Sequence, residues 1–303
     1  MSNTFKELGA LYKEGDLLSK LIFILSGIYL TTSLTSMALS LFESSVLLRF
    51  IFALPANIAE AVSMPWALIT YMFYHEQFIH FIFNILMLYW MGKLFLLSYQ
   101  PRDLVNLFIF GGIVGGLFFI LALNLFPSLS AYTNYTTLDG SSAAIMAVLV
   151  AAAIANPEMP VKLVLLGEIR LKWIAMAFVA LSVLVDYKEN AGGCFAHLGG
   201  AVAGYLFGYH MRKGTNITQW IGRIIDFLSN LVDKLANLFK GNKSPKFKVV
   251  YNNTHGKAAD ESYNMRKKAQ NEAIDAILDK IKESGYSSLT DEERATLFNA
   301  SKK

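Results

Sequence analysis

Six long apolar stretches, at about 18–42, 74–98, 104–126, 140–156, 171–187 and 194–211, leave this chain few folds to choose from. A helix needs roughly 20 apolar residues to cross a hydrocarbon core about 30 Å thick. In lipid every backbone N–H and C=O must be satisfied internally, so such stretches become helices. Only 17% of the 303 residues are charged and 54% are apolar, against about 25% charged in soluble domains. The sequence predicts an all-α membrane protein: a bundle of six transmembrane helices with a small cytoplasmic helical tail. The first apolar run lacks a small-residue cleavage site and reads as a retained span, not a signal peptide. A single cysteine, Cys194, excludes an internal disulfide framework and a Cys-rich metal site.

Charge placement sets the orientation. With six spans, one side collects Lys6, Lys13, Lys20, Lys93, Arg102, Lys162, Arg170, Lys172, Arg212, Lys213 and a basic tail. The other keeps only Arg49 and Lys188. The excess of positive charge on cytoplasmic loops therefore puts both termini in the cytoplasm, as in a multi-pass protein of a bacterial inner membrane. Segment 45–70 is also apolar, but Arg49, Pro55, Glu60 and Pro65 interrupt it. It is expected as a half-embedded loop in the outer interface, with Trp66 as its anchor.

Polar residues in the spans point to chemistry, because an unpaired polar group in an apolar medium costs about 2 to 7 kcal/mol. The stretch YHEQFIHFIFN, 74–84, brings His75 to the outer mouth of the second span. His80 and Asn84 follow deeper by about 7 and 13 Å, and their i, i+4 spacing puts them on one face. The fourth span, GSSAAIMAVLVAAAIANP, is built of small residues, and Ser142 to Asn156 covers only about 21 Å of helix. Its N-terminus must begin below the outer surface, and irregular backbone at that depth lines a wet cavity or is buried in protein. The sixth span, CFAHLGGAVAGYLFGYH, carries His197 about one turn in. Its Gly200, Gly204 and Gly208 form a ladder that admits another backbone, with Gly140, Ala143, Ala144, Ala147 and Ala151 as the counterpart.

Packed together, those two helices bring Ser142 and His197 to one depth, as nucleophile and general base. The Ser142 amide, in the first turn of a helix, joins His80 and Asn84 as potential donors to an oxyanion. Ser141 points about 100° away from Ser142. Asp139 is expected to cap the fourth helix, and Asp186, within reach of the histidine's other nitrogen, is expected as a solvated end of the fifth span, which leaves a two-residue catalytic pair. His210 lies about 20 Å below His197, at the cytoplasmic interface.

In this order and on these helices, the motifs HxxxN at 80–84, Gly140-Ser141-Ser142-Ala143 and AHLGG at 196–200 resemble those of the rhomboid intramembrane serine proteases. The resemblance covers about 17–212. It implies a Ser142–His197 catalytic dyad, oxyanion stabilisation by His80, Asn84 and the Ser142 amide, and His75 at the cavity mouth. It implies single-span transmembrane proteins as substrates, membrane lipid as surroundings, and no metal, cofactor or nucleic acid. This chain departs from the family pattern at Ala67 after Trp66, at Leu96, at Met146 one turn after the serine, and at Ala143. None of these removes a reacting group. A non-catalytic rhomboid-like client binder or scaffold is the alternative, while a small transporter would need midplane charges or paired broken helices.

Domain boundaries follow composition. A cytoplasmic segment 1–16 precedes the six-span core, 17–212. Segment 213–242 repeats apolar residues at helical period and reads as an amphipathic helix on the inner leaflet. A basic linker, 243–259, leads to a helical hairpin, 260–303, with a face of Ile274, Ile277, Leu278 and Ile281 and a capping-box pair, Thr290 and Glu293. That hairpin has no catalytic constellation and is expected to dock a cytoplasmic partner or to regulate.

Overall fold

The computed structural model describes residues 12, 15–42, 44, 46–163, 167–184, 190–239, 277, 279–282, 289, 290, 292 and 293. The chain divides into two compact units, Met1–Leu235 and Ala236–Lys303. In the first unit the helices α1 (Leu17–Ser40), α5 (Phe78–Phe95) and α6 (Pro101–Leu125) are long and apolar enough to cross a membrane. Two shorter apolar helices, α8 (Ser142–Ala155) and α9 (Leu171–Leu184), and the 22-residue α10 (Ala191–Arg212) complete the bundle.

The bundle is organised around α8. Its small side chains let neighbours close in from all sides, and Ala143, Ala144, Ala147, Val148, Ala151 and Ala152 are almost fully buried. Helices α5, α6, α9 and α10 pack on it. The ladder expected from the sequence is present: a Cβ on Gly200 would stand 2.1 Å from the Ala143 carbonyl oxygen, and one on Gly204 2.3 Å from that of Ala147. On the α6 side, a Cβ on Gly111 would reach within 2.4 Å of the Ala147 Cβ. Without a hydrophobic driving force between helices in lipid, such close van der Waals packing is what holds them.

Helix α1 packs against α5 and α6 through a stripe of Leu18, Leu21, Leu25, Tyr29 and Thr32, while Leu30, Leu34 and Met37 face outward. Tyr29 stacks on Phe81 of α5, ring centroids 4.0 Å apart. The buried Thr32 hydroxyl donates to the Ile28 carbonyl of its own helix. Asp16 caps α1 by accepting from the Ser19 amide at 2.8 Å. That bond and nearby Lys93, 3.6 Å away, hold the Asp16 carboxyl below its ordinary value. A carboxylate with a lowered folded pKa stabilises above its unfolded value and loses that contribution as pH falls through the folded one. Asp16→Ala should therefore cost about 1 kcal/mol at neutral pH. In denaturation of the protein in mixed micelles, the gap from wild type should narrow as pH is taken below 3.8, the ordinary value of an aspartate carboxyl.

The loop expected over 45–70 is more structured than a half-embedded coil. It holds α2 (Val46–Phe52), α3 (Ile58–Ser63) and α4 (Ala67–Thr70), with Asn57 capping α3. Between α2 and α3, strand β1 (Leu54–Pro55) pairs antiparallel with β2 (Thr137–Leu138), which follows the short α7 (Pro127–Ser130). Trp66 is half exposed and donates its indole N–H to the Ile51 carbonyl. A second antiparallel pair, β3 (Pro160–Leu163) and β4 (Gly167–Arg170), precedes α9, with Glu158 paired to Arg170 and Lys172. The sequence reading contained neither ladder: β1–β2 depends on a partner more than 80 residues away, and β3–β4 is a short local hairpin absent from that reading.

Helix α11 (Gln219–Phe239) begins in the first unit, which ends at Leu235 within it. In the second unit, Ile277 and Leu289 are buried, and Thr290 and Glu293 bond reciprocally as a capping box: the Thr290 amide donates to the Glu293 carboxylate at 2.7 Å, and the Glu293 amide to the Thr290 hydroxyl at 3.3 Å. Lys280 also pairs with Glu293. The linker 243–259 and Ile274, Leu278 and Asp186 lie outside the described residues.

Candidate active site

Gly140 turns the chain into α8 at φ +96°, a left-handed conformation that favours glycine. Its amide donates to the carbonyls of Tyr71 and Tyr74, at 2.9 and 2.8 Å, which ties the start of α8 to the loop before α5. His80 lies against the missing side chain: a Cβ at 140 would fall 2.5 Å from its Cε1. This turn presents Ser141 and Ser142 in different directions.

Ser142, the first residue of α8, is half-buried, and its Oγ lies 2.8 Å from Nε2 of His197. His197 rides on α10, whose first turn is capped by Asn190 accepting from the Gly193 amide at 2.9 Å. With the ring proton on Nδ1, Nε2 accepts the Ser142 hydroxyl. The backbone contacts at Gly200 and Gly204 set the spacing of these two helices, and so of the two side chains.

Ser141 faces the other way and is fully buried. Its hydroxyl donates to Asn84 Oδ1 at 3.1 Å, and its amide donates to His75 Nε2 at 3.3 Å. Asn84 in turn donates from Nδ2 to the His80 carbonyl of its own helix at 2.8 Å. The asparagine amide is thus held at both ends, leaving its second N–H for another acceptor.

Two sequence expectations are corrected here. His75, expected at the cavity mouth, is 1% exposed; it lies behind Ser141 and does not line the large cavity, because its ring serves as acceptor for the turn into α8. Asp139 does not cap α8, whose first turn takes no side-chain cap. Its carboxylate instead accepts from the Glu76 amide at 3.1 Å and stands 3.9 Å from His80 Nδ1. Cys194 is buried with its sulfur toward the Val183 carbonyl. His210 sits in the last turn of α10.

The sequence reading missed a fastening near the start of α5. Arg49 donates from Nε to Thr137 Oγ1 at 2.9 Å and pairs with Glu76 across 3.7 Å, so one guanidinium joins α2, β2 and the segment leading into α5. An arginine interrupting an apolar stretch was its only signal.

Ser142, His197, His80 and Asn84 all line one cavity of about 1240 Å³. Its walls include Phe83 and Met87 of α5 and Phe178 and Leu181 of α9, so it extends between those two helices. The arrangement is a hydroxyl bonded to an imidazole, beside a helix N-terminus whose first amides have no intrahelical acceptor, in a space large enough for a peptide segment.

Comparison with known proteins agrees with this architecture. Residues 62–214 match the family model described as the Rhomboid domain, half of the chain. Residues 257–303 match a family of unknown function, DUF6576. No curated protein matches the chain. This chain belongs to the rhomboid family of integral membrane proteins.

Proposed function

We propose that the protein is an intramembrane serine endopeptidase that cuts transmembrane segments of single-span membrane proteins with a Ser142–His197 dyad. The observation that carries this reading is the 2.8 Å contact between Ser142 Oγ and His197 Nε2 at the head of α8. His197 takes the Ser142 proton as the oxygen attacks a scissile carbonyl, and returns it to the leaving amine. The oxyanion forms beside the Ser142 amide, with His80 and the second N–H of Asn84 as side-chain donors. Water, deprotonated by the same imidazole, then releases the acyl group. None of these steps calls for a metal or cofactor.

Substrate would reach the dyad through the part of the cavity between α5 and α9, whose apolar walls suit a segment arriving from lipid. An intact helix hides its carbonyls in internal hydrogen bonds, so segments that unwind readily are favoured. In this reading the core is 17–212, with six spans and both termini cytoplasmic in a bacterial inner membrane, and the helices of 260–303 engage a cytoplasmic partner. The test is a purified single-span substrate co-reconstituted in vesicles. Cleavage inside or beside its transmembrane segment, located by mass spectrometry, is expected; tight binding of an uncut substrate would instead mark a client-binding scaffold.

Ser141 has a positioning role here, through Asn84. Ser141→Ala removes the hydrogen bond to Asn84 Oδ1 and the longer, 3.4 Å contact with His75 Nε2; the first is worth about 1.4 kcal/mol or roughly tenfold in rate if it matters only in the transition state. Cleavage by that variant should slow through kcat with little change in KM.

A further inference from the structure

Helix α11 separates its residues into two faces more cleanly than any other long helix among the described residues. At about 100° per residue, Trp220, Ile224, Phe227, Leu228, Leu231 and Leu235 fall on one side. Arg223, Asp226, Asn230, Asp233 and Lys234 fall on the other. Only the beginning of the helix is covered by the first unit: Thr218 and Ile221 are buried, and Gly222, on the polar side, lies against Asn106 of α6. Asn216 donates to the Asp103 carboxylate at 2.7 Å, which pins the approach to α11 beside the first turn of α6. Beyond that turn the apolar side is open, with Phe227 67% and Val232 62% exposed.

The pin decides what covers this face. Asp103 belongs to the end of the bundle where α10 finishes in His210 and Arg212 and where Arg102 and Lys213 lie, the end at which the apolar helices stop. The exposed apolar surface of α10 reaches the same place through Tyr205 and Tyr209. The apolar side of α11 continues this lipid-facing belt at the level where hydrocarbon gives way to headgroups. The helix is about 31 Å long, but with four charges it is not a span. From 219 to 239 the charges are Arg223 and Lys234 against Asp226 and Asp233, a net of zero. Attraction to anionic lipid, about 1 kcal/mol per basic residue, therefore contributes nothing net, and burial of the apolar side supplies the binding.

We propose that α11 lies in the plane of the bilayer as a charge-neutral anchor, its Ile224–Leu228–Leu231–Leu235 side sunk into the acyl boundary, pivoting on the Asn216–Asp103 bond. Its occupant is lipid, whatever the headgroup charge. The test is a spin label placed singly on the full chain in a Cys194→Ser background, at Ile224, Asp226, Leu228, Asn230, Leu231, Asp233 and Leu235 in turn. In vesicles of phosphatidylcholine alone, the ratio of collisions with oxygen to collisions with a water-soluble nickel chelate should be several-fold higher at 224, 228, 231 and 235 than at 226, 230 and 233. The pattern should survive high salt and addition of phosphatidylglycerol unchanged. Nickel access at every position would overturn the proposal, as would shielding of the apolar side from both reagents, which marks a protein covering such as another part of this chain. A pattern that appears only with anionic lipid would overturn its charge-neutral basis.

Discussion

Ser142→Ala is expected to abolish cleavage, lowering kcat by a factor on the order of 10⁴ or more, while leaving substrate binding and the folded bundle intact. The size of the effect follows from the role proposed for the oxygen: in the proposed mechanism it forms the bond to the scissile carbonyl, and alanine has nothing to form it with. The fold should be indifferent because Ser142 is half-buried at the head of α8 and its recorded side-chain bond is to His197. Alanine is also the better helix former in the turn that follows. Ser141 cannot substitute, since its hydroxyl is fully buried and committed to Asn84. The double variant Ser142→Ala, His197→Ala should be no slower than the single one, because two groups acting as a unit are grossly non-additive. Activity retained at wild-type level by Ser142→Ala would assign the chemistry elsewhere.

Gly200→Ala carries the second large effect, although residue 200 does not line the cavity. A methyl group there would sit 2.1 Å from the Ala143 carbonyl oxygen and 2.9 Å from its carbonyl carbon. Those are backbone atoms, so the strain cannot be relieved by turning a side chain, and α8 and α10 must move apart. Overpacking costs about 1 to 3 kcal/mol, and a backbone obstacle belongs at the upper end. The same displacement separates Ser142 from His197, three residues before Gly200 on α10, and a misplacement near 1 Å costs about 10²-fold in rate. Steric-trap unfolding in bicelles and the cleavage rate should therefore fall together. Gly27 is the control: nothing lies within 4 Å of a Cβ built there, and Gly27→Ala should leave the cleavage rate unchanged and the stability unchanged or raised by up to about 1 kcal/mol.

The positions of the helices were legible in the sequence because the bilayer asks a single question of each segment, namely whether enough apolar residues occur in a row. Helix α6, read as 104–126, runs over Pro101–Leu125. The glycine ladder was legible for a related reason, since repeated small residues at i, i+4 have little use other than close approach, and Gly200 and Gly204 do meet the α8 backbone. Depth along two helices sufficed to expect Ser142 beside His197. What depth cannot give is direction, and His75 illustrates the cost. From its place near the end of a span it belongs at a mouth, yet three residues before α5 the chain bends and carries its ring behind Ser141. Asp139 shows the same limit: an acidic residue just before a helix suits a cap, but the Glu76 amide from 63 residues away takes its carboxylate. The β1–β2 ladder and the Arg49 fastening likewise depend on partners some 80 residues distant.

The claim at the centre of this account is that Ser142 is a nucleophile activated by His197. The most direct measurement is labelling of the protein in native membranes with a fluorophosphonate, which traps an activated serine oxygen, followed by peptide mapping of the adduct. The account predicts one adduct, on Ser142, lost in Ser142→Ala and in His197→Ala but retained in Ser141→Ala. No adduct on folded wild type, or one that persists after Ser142→Ala, would contradict it.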